Sequence, residues 1–133
     1  MDAPSFLDFG QVLRVLRSLI DTYGGIDGIR DQSLLESAIA MPLASFGGQM
    51  LHADLFEMAA AYMYHIVQNH PFLDGNKRTG AAAAIIFLAM NDVEIDGDED
   101  GLVELTLSVA CGQSHKPQIA SFFRDRSRHP PHA

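Results

Sequence analysis

Residues 55–91, which read LFEMAAAYMYHIVQNHPFLDGNKRTGAAAAIIFLAMN, predict two buried helices joined by one short loop. Asp54 is a suitable N-cap for the first helix, residues 55–69, in which apolar side chains recur every three or four positions and on more than one side. The second helix, residues 76–91, includes the run 81–90, which is apolar all round. Because a helix without a polar face is buried, both helices are expected at the centre of the fold.

Periodic apolar faces predict four further helices, and no stretch alternates as a strand would. The expected spans of these helices are residues 8–22, 31–40, 101–110 and 114–124. A length of 133 residues suits one domain. Residues 1–133 are therefore expected to form a single all-α domain, a helical bundle of about six helices with the loop HPFLDG between the two central ones. Residues 125–133, which end in HPPHA, are expected to be a flexible tail.

Composition and charge exclude several classes of function. The formal net charge is −8, and nucleic-acid binding rests on Lys and Arg side chains that neutralise phosphates. The longest apolar run, residues 81–90, is far shorter than the ~20 residues of a membrane span. The N-terminus lacks the pattern of a signal peptide, and the single cysteine, Cys111, cannot form an internal disulfide. A cytoplasmic protein without direct nucleic-acid or membrane partners is therefore expected.

The loop concentrates reactive side chains that a surface connection does not need. His70 follows the first central helix, and an imidazole accepts a proton at neutral pH, as a general base does. Phe72 is the apolar member, expected to anchor the loop in the core and hold it rigid. Asp74 is a hard oxygen ligand suited to Mg²⁺, which binds through carboxylates and substrate phosphates. The loop therefore predicts a base, an anchor and a metal ligand.

The start of the second central helix is a candidate phosphate site. Gly75 permits a close backbone turn. Asn76, Lys77 and Arg78 occupy the first helical turn, where free N–H groups and the helix dipole attract anions. Lysine adds a point charge, and arginine adds a planar fork for phosphate oxygens. In the alternative, Asp74 merely caps the helix and both cations are solvated, but cations at a helix N-terminus are mildly unfavourable.

The motif HPFLDGNKR, residues 70–78, resembles the signature of the Fic/Doc superfamily, and most closely its death-on-curing (Doc) branch. The likeness extends to YGGIDGIRDQSLLESAIA at residues 23–40, and to residues 55–61 and 105–112. With the helix after the motif, which is similar as well, the likeness covers roughly residues 20–112. The resemblance implies an all-helical Fic fold that transfers a nucleotide-derived phosphate group to a protein hydroxyl.

The resemblance also implies a role for each residue of the motif. His70 would be the base that deprotonates a target serine or threonine, and Asp74 would hold Mg²⁺. The residues that would bind the phosphates of ATP are Gly75, Asn76, Lys77 and Arg78.

Two positions separate the possible reactions. Members of the superfamily that transfer AMP typically have glycine where this chain has Lys77, and a second arginine where it has Ala81. The Doc branch has lysine at the first of these positions. Resemblance to that branch implies an ATP- and Mg²⁺-dependent kinase that phosphorylates a Ser/Thr of a translation factor, elongation factor Tu, and so blocks translation. The alternatives are AMP transfer to a protein hydroxyl and a non-catalytic binding module with the same helical body.

The Doc branch further implies a protein partner. Doc toxins are paired with a small antitoxin, whereas many Fic proteins carry an inhibitory helix of their own, with Ser or Thr four residues before a Glu. None of the five glutamates of this chain has Ser or Thr at that distance. Restraint is therefore expected from a cognate antitoxin.

Overall fold

The computed structural model describes residues 3–128, and within them the chain forms six α-helices. Their bounds are α1 Phe9–Tyr23, α2 Gln32–Ala40, α3 Leu55–Asn69, α4 Asn76–Met90, α5 Glu99–Ala110 and α6 Lys116–Asp125. All six predicted helices are confirmed, with ends within two residues of the expected positions, and a 3₁₀ turn, Met41–Leu43, follows α2. None of these six helices is long and apolar enough to cross a membrane.

Aspartate side chains begin four of the helices. In each of these helices, the N-cap aspartate accepts the backbone N–H of the third helical residue. The caps and distances are Asp8 of α1 at 2.8 Å, Asp31 of α2 at 3.1 Å, Asp54 of α3 at 2.8 Å and Asp98 of α5 at 3.0 Å. Each such bond satisfies a donor that has no partner within the helix and stabilises it by about 1 kcal/mol. Because Asp98 provides the cap, α5 begins at Glu99, two residues before the expected start.

The central helices α3 and α4 pack closely because Gly80 of α4 lies against α3. A Cβ atom at Gly80 would lie 2.8 Å from Val67 Cγ2 and 3.1 Å from the Met63 carbonyl oxygen. Both helices are buried on more than one side, as their sequences predict, and the other four pack around them. Large side chains buried in this pair include Tyr62, Met63, Ile66, Val67, Phe87 and Leu88.

Two short antiparallel strand pairs were not predicted from the sequence. β1, Ser45–Phe46, pairs with β2, Gln49–Met50, and β3, Glu94–Ile95, pairs with β4, Ser127–Arg128. Each strand has two residues, which is too short for an alternating apolar pattern to emerge. The fold class remains all-α, and the strands join only short connecting segments.

Two arginines hold residues 125–128 against acidic side chains that precede α5. The Nε atom of Arg126 donates to Asp98 at 2.8 Å, and Arg128 lies 3.4 and 3.2 Å from two carboxylates at β3 and the turn after it. Charge pairing and β4 thus connect these four residues, the first part of the expected tail, to the body. The rest of the expected tail, residues 129–133, lies outside the described residues.

Candidate active site

The loop between α3 and α4 begins at His70, whose backbone is left-handed. His70 follows the last residue of α3 with φ 48° and ψ 55°, a conformation that costs energy in any residue with a Cβ atom. Pro71 comes next and has no N–H to continue the helix. The chain therefore leaves α3 at His70, and the exposed His70 side chain lines a cleft.

A segment far earlier in the chain braces this loop from behind. Arg30 donates from Nε to the His70 carbonyl at 2.6 Å and from a terminal nitrogen to the Asn69 carbonyl at 2.9 Å. The backbone N–H of Arg30 donates to the Pro71 carbonyl at 2.7 Å. The end of α3 is thus tied to a residue 40 positions away from His70 in the sequence.

Phe72 anchors the middle of the loop. Its side chain is 1% exposed. Its backbone forms an antiparallel bridge with Ile29, and the N–H of Leu73 donates to the Gly28 carbonyl at 3.0 Å. Because both its side chain and its backbone are held, the loop has the rigidity that a preorganised site requires.

Asn76 ties the end of the loop back to its middle. Its side chain is buried; Oδ1 accepts the Phe72 N–H at 2.9 Å, and Nδ2 donates to the Phe72 carbonyl at 3.1 Å. The same Nδ2 lies 3.5 Å from Nδ1 of His70. The Asn76 side chain, predicted to bind phosphate, is therefore turned toward the loop, and only its backbone N–H is left for an anion.

Asp74 lies exposed beside the cleft and does not cap α4. The N-cap is Gly75, which has φ 80° and makes no side-chain cap bond, so the alternative role of Asp74 as a cap is wrong. Asp74 Oδ1 accepts the Gly75 N–H at 2.9 Å, and Oδ2 accepts the Ile26 N–H at 3.4 Å. Gly25 permits this approach, since a Cβ atom there would lie 2.7 Å from Asp74 Oδ2. The oriented carboxylate keeps lone pairs for a cation.

The first turn of α4 presents unpartnered N–H groups and two cations. The backbone N–H groups of Asn76, Lys77 and Arg78 find no acceptor in residues 3–128. The side chains of Lys77 and Arg78 are exposed and form no salt bridge within the same residues. The Arg78 guanidinium lies 4.3 Å from the centre of the Tyr23 ring. This helix end therefore offers both backbone and side-chain donors to an anion.

These groups meet in one cleft of about 830 Å³, which lies between α1, the loop, α4 and α5. Its volume is within the ~300–1,000 Å³ typical of small-molecule sites. The predicted site residues that line it are His70, Asp74, Gly75, Asn76, Lys77 and Arg78. Exposed apolar side chains of the lining include Tyr23 of α1 and Val103 and Leu107 of α5. Such a cleft combines donors for phosphate oxygens with an apolar surface for the rest of a ligand.

Two side chains next to this cleft did not emerge from the loop motif. Tyr23 lies under Arg78, and Arg30 lies behind His70. Both belong to residues 23–30, a glycine-rich segment that contains no recognisable catalytic motif. Only its likeness to an upstream block of the Fic/Doc superfamily pointed to it.

A family model described as "Fic/DOC family" matches residues 6–88, which contain the first three helices, the whole loop and most of α4. The match covers more than half of the chain. The chain belongs to the Fic/DOC family. The fold and the family expected from the sequence motif are thereby confirmed.

Two relatives of this Fic/DOC protein cover most of its length. It is 41% identical over 101 residues to "Toxin Doc" of Mycolicibacterium smegmatis, and this alignment spans 74% of the chain and 78% of the relative. It is 33% identical over 105 residues to "Protein kinase doc" of Escherichia phage P1, across 79% of the chain and 82% of the relative. Both relatives carry the Doc name, which confirms the predicted branch of the superfamily.

Proposed function

We propose that this protein is a Doc-like toxin that acts as a kinase. It transfers the γ-phosphoryl group of ATP, with Mg²⁺, to a serine or threonine of a translation factor and so blocks translation. The observation that carries the proposal is at α4, where exposed Lys77 and the small Ala81 one turn later line the cleft. AMP-transferring members have glycine and arginine at these two places, and the Doc branch has the lysine. Similarity to a relative named a protein kinase supports the same reaction.

Elongation factor Tu is the first target to test, because resemblance to the Doc branch implies it. Action on translation would place the protein in the cytoplasm. A toxin also needs restraint, and the Mycolicibacterium relative is named a toxin. Since no glutamate of this chain follows a Ser or Thr at the spacing of the internal inhibitory helix, we expect a cognate antitoxin to supply that restraint.

The N-terminus of α4 fits the phosphates of a nucleotide. Three free N–H groups, the Lys77 ammonium and the Arg78 guanidinium lie at the same end of one helix. Phosphoryl transfer is accelerated mainly by positioning and by stabilising the charge on the transferred group. Lys77 and Arg78 would bind phosphate oxygens and stabilise that charge.

Asp74 fits the role of a Mg²⁺ ligand. Residues 3–128 contain no group of three or more His, Cys, Asp or Glu side chains that could hold a metal ion. Mg²⁺ does not need such a group, because it commonly binds through one or two carboxylates plus substrate phosphates and keeps several waters. When bound, the ion would neutralise phosphate charge. The Asp74 carboxylate, oriented by the N–H groups of Gly75 and Ile26, would be its protein ligand.

His70 would take the proton of the target hydroxyl. Phe72 orients the amide of Asn76, so that an N–H of Asn76 faces Nδ1 of His70. A neutral imidazole in this setting carries its lone pair on Nδ1 and its hydrogen on Nε2. The contact is 3.5 Å, which is long for a hydrogen bond. A target hydroxyl would replace this contact and give its proton to Nδ1.

The position of the transferred label tests the reaction. The purified protein is incubated with Mg²⁺, a translation extract and ATP labelled at either the α or the γ phosphate. We expect label from the γ position alone, on a serine or threonine of one protein that mass spectrometry identifies. Label from the α position would contradict the kinase and favour AMP transfer.

The variant His70→Ala is the matched control for this assay. Because loss of a general base slows a reaction by on the order of 10²–10⁴-fold, labelling by His70→Ala should nearly vanish. Growth inhibition in cells should vanish with it. If His70→Ala inhibited growth as strongly as the wild type, the loop would not act by catalysis, and the binding-module alternative would stand.

A further inference from the structure

Arg30 places a guanidinium against the end of α3, directly behind the candidate base. Its Nε atom lies 2.6 Å from the His70 carbonyl oxygen, and a terminal nitrogen lies 2.9 Å from that of Asn69. The backbone N–H groups of Arg30 and Asp31 donate to the Pro71 carbonyl at 2.7 and 3.1 Å. Three successive carbonyl groups are therefore held by one residue and its neighbour.

The end of α3 needs these donors for two reasons. The last carbonyl groups of a helix have no N–H partner within it, and Pro71 supplies none. His70 also has a left-handed φ of 48°, which a residue with a Cβ atom keeps only where its surroundings fix it. A cation is favourable at this place, because the C-terminus is the negative end of the helix dipole.

The Arg30 side chain has no competing role within the described residues. It forms no salt bridge in residues 3–128. It is absent from the lining of the 830 Å³ cleft, where the nucleotide would bind. All of its side-chain hydrogen bonds in these residues go to the carbonyl groups of Asn69 and His70.

We propose that Arg30 is a positioning residue for His70. By holding these carbonyl groups, it fixes the left-handed turn that presents the His70 imidazole to the cleft and to Asn76. The inference rests on the proposed function, in which His70 is the base. Without the guanidinium, the His70 backbone would visit other conformations, and the imidazole would less often face the hydroxyl. The N–H groups and cations of α4 do not depend on Arg30, so ATP binding should persist.

Steady-state kinetics of target phosphorylation test this role. Arg30→Ala should lower kcat by on the order of 10–100-fold and leave KM for ATP within about twofold, since a small misplacement of a reacting group costs up to 10²-fold. Arg30→Lys, which keeps a cation and N–H donors, should recover part of kcat. The control is Arg14→Ala on α1, an exposed arginine outside the cleft lining and without a salt bridge in residues 3–128, which should match the wild type.

A second measurement does not depend on activity. The NMR chemical shifts of the His70 Cα and carbonyl carbons report its backbone angles, and Arg30→Ala should move them whereas Arg14→Ala should not. The proposal would be overturned if Arg30→Ala left the His70 chemical shifts or kcat unchanged. It would also be overturned if Arg30→Lys lost as much of kcat as Arg30→Ala. If Arg30→Ala does not fold, Arg30→Lys against Arg14→Ala makes the same comparison. If the wild type transfers no phosphate, the proposed function fails, and the His70 shifts alone decide the role of Arg30.

Discussion

Asn76 illustrates how one buried amide organises the loop. The sequence placed this residue in the first turn of a helix, where phosphate binding is the obvious use. In the fold, the Phe72 N–H and carbonyl lie in a turn where neither a helix nor a sheet pairs them, and the Asn76 amide supplies both partners. The need to satisfy these buried backbone groups decides the orientation of the side chain, and no local sequence pattern records that need.

Replacing Asn76 with alanine should therefore lower the free energy of unfolding by about 1–3 kcal/mol, because the buried Phe72 N–H would lose its acceptor. Urea unfolding measures this loss as a lower midpoint with an unchanged slope. The control is Gln32→Ala, whose amide donates its one side-chain hydrogen bond within residues 3–128 to the exposed Glu36 at 3.1 Å, and which should stay within about 0.5 kcal/mol of the wild type. Equal midpoints for Asn76→Ala and the wild type would contradict the role of the amide.

Among the elements, the six helices were predictable and the small strand pairs were not. Apolar residues recur at helical spacing along each helix, and aspartate, glycine or proline marks several helix ends. The local sequence therefore predicts these helices. The pairing of Glu94–Ile95 with Ser127–Arg128 joins segments more than 30 residues apart. A strand of two residues is also too short to show an alternating apolar pattern. The candidate site shows the same difference between local and long-range features. The motif HPFLDGNKR is contiguous and can be recognised in the sequence, whereas the contact between Arg30 and His70 exists only in the folded chain.

Gly80 sets the distance between α3 and α4, and its substitution tests that packing. In an exposed helix, Gly→Ala stabilises by ~1 kcal/mol. At Gly80 the added Cβ would lie 2.8 Å from Val67 Cγ2 and 3.1 Å from the Met63 carbonyl oxygen, so we expect a net loss of about 1–2 kcal/mol from overpacking.

The matched control is Gly10→Ala in α1, where the nearest atoms to the new Cβ lie at 3.6 and 3.9 Å. That variant should be at least as stable as the wild type. Urea midpoints compare the two variants. If Gly80→Ala proved more stable than the wild type, close approach of the central helices would not be what this glycine provides.

For the whole molecule, α6 closes the bundle through a lysine that lies between two histidines. Lys116 Nζ is 3.2 Å from Nε2 of His52 and 3.3 Å from Nε2 of His65, which belongs to α3. Burial lowers the pKa of His52 and lowers that of His65 to about 4, and the Lys116 charge adds to both effects. Glu57 opposes the change at His52, and burial also lowers the pKa of Lys116. Both imidazoles are therefore neutral acceptors for the ammonium near neutral pH.

This cluster predicts that the folded protein loses stability as the pH falls from 6.5 toward about 4. Below pH 6.5 the unfolded chain protonates His65 while the folded chain does not, so the unfolded state binds more protons and is stabilised relative to the folded one. Because His65 is partly exposed to screening solvent, we expect at most about 2 kcal/mol. The Asp31 carboxylate accepts from the Ser33 hydroxyl and the Asp98 carboxylate accepts from Arg126, which lowers the pKa of each carboxyl, and these contributions are lost mainly below pH 3.8.

Urea midpoints measured across this pH window distinguish His65 from other sources of acid sensitivity. In His65→Gln, which cannot titrate, the midpoint should depend less steeply on pH, because one of the protons taken up on unfolding is gone. His115→Gln is the control, since His115 is an exposed histidine at the start of the same helix α6, and it should keep the slope of the wild type. An unaltered slope in His65→Gln would show that protonation elsewhere weakens the bundle, and the Lys116 contact would then not link α6 to pH.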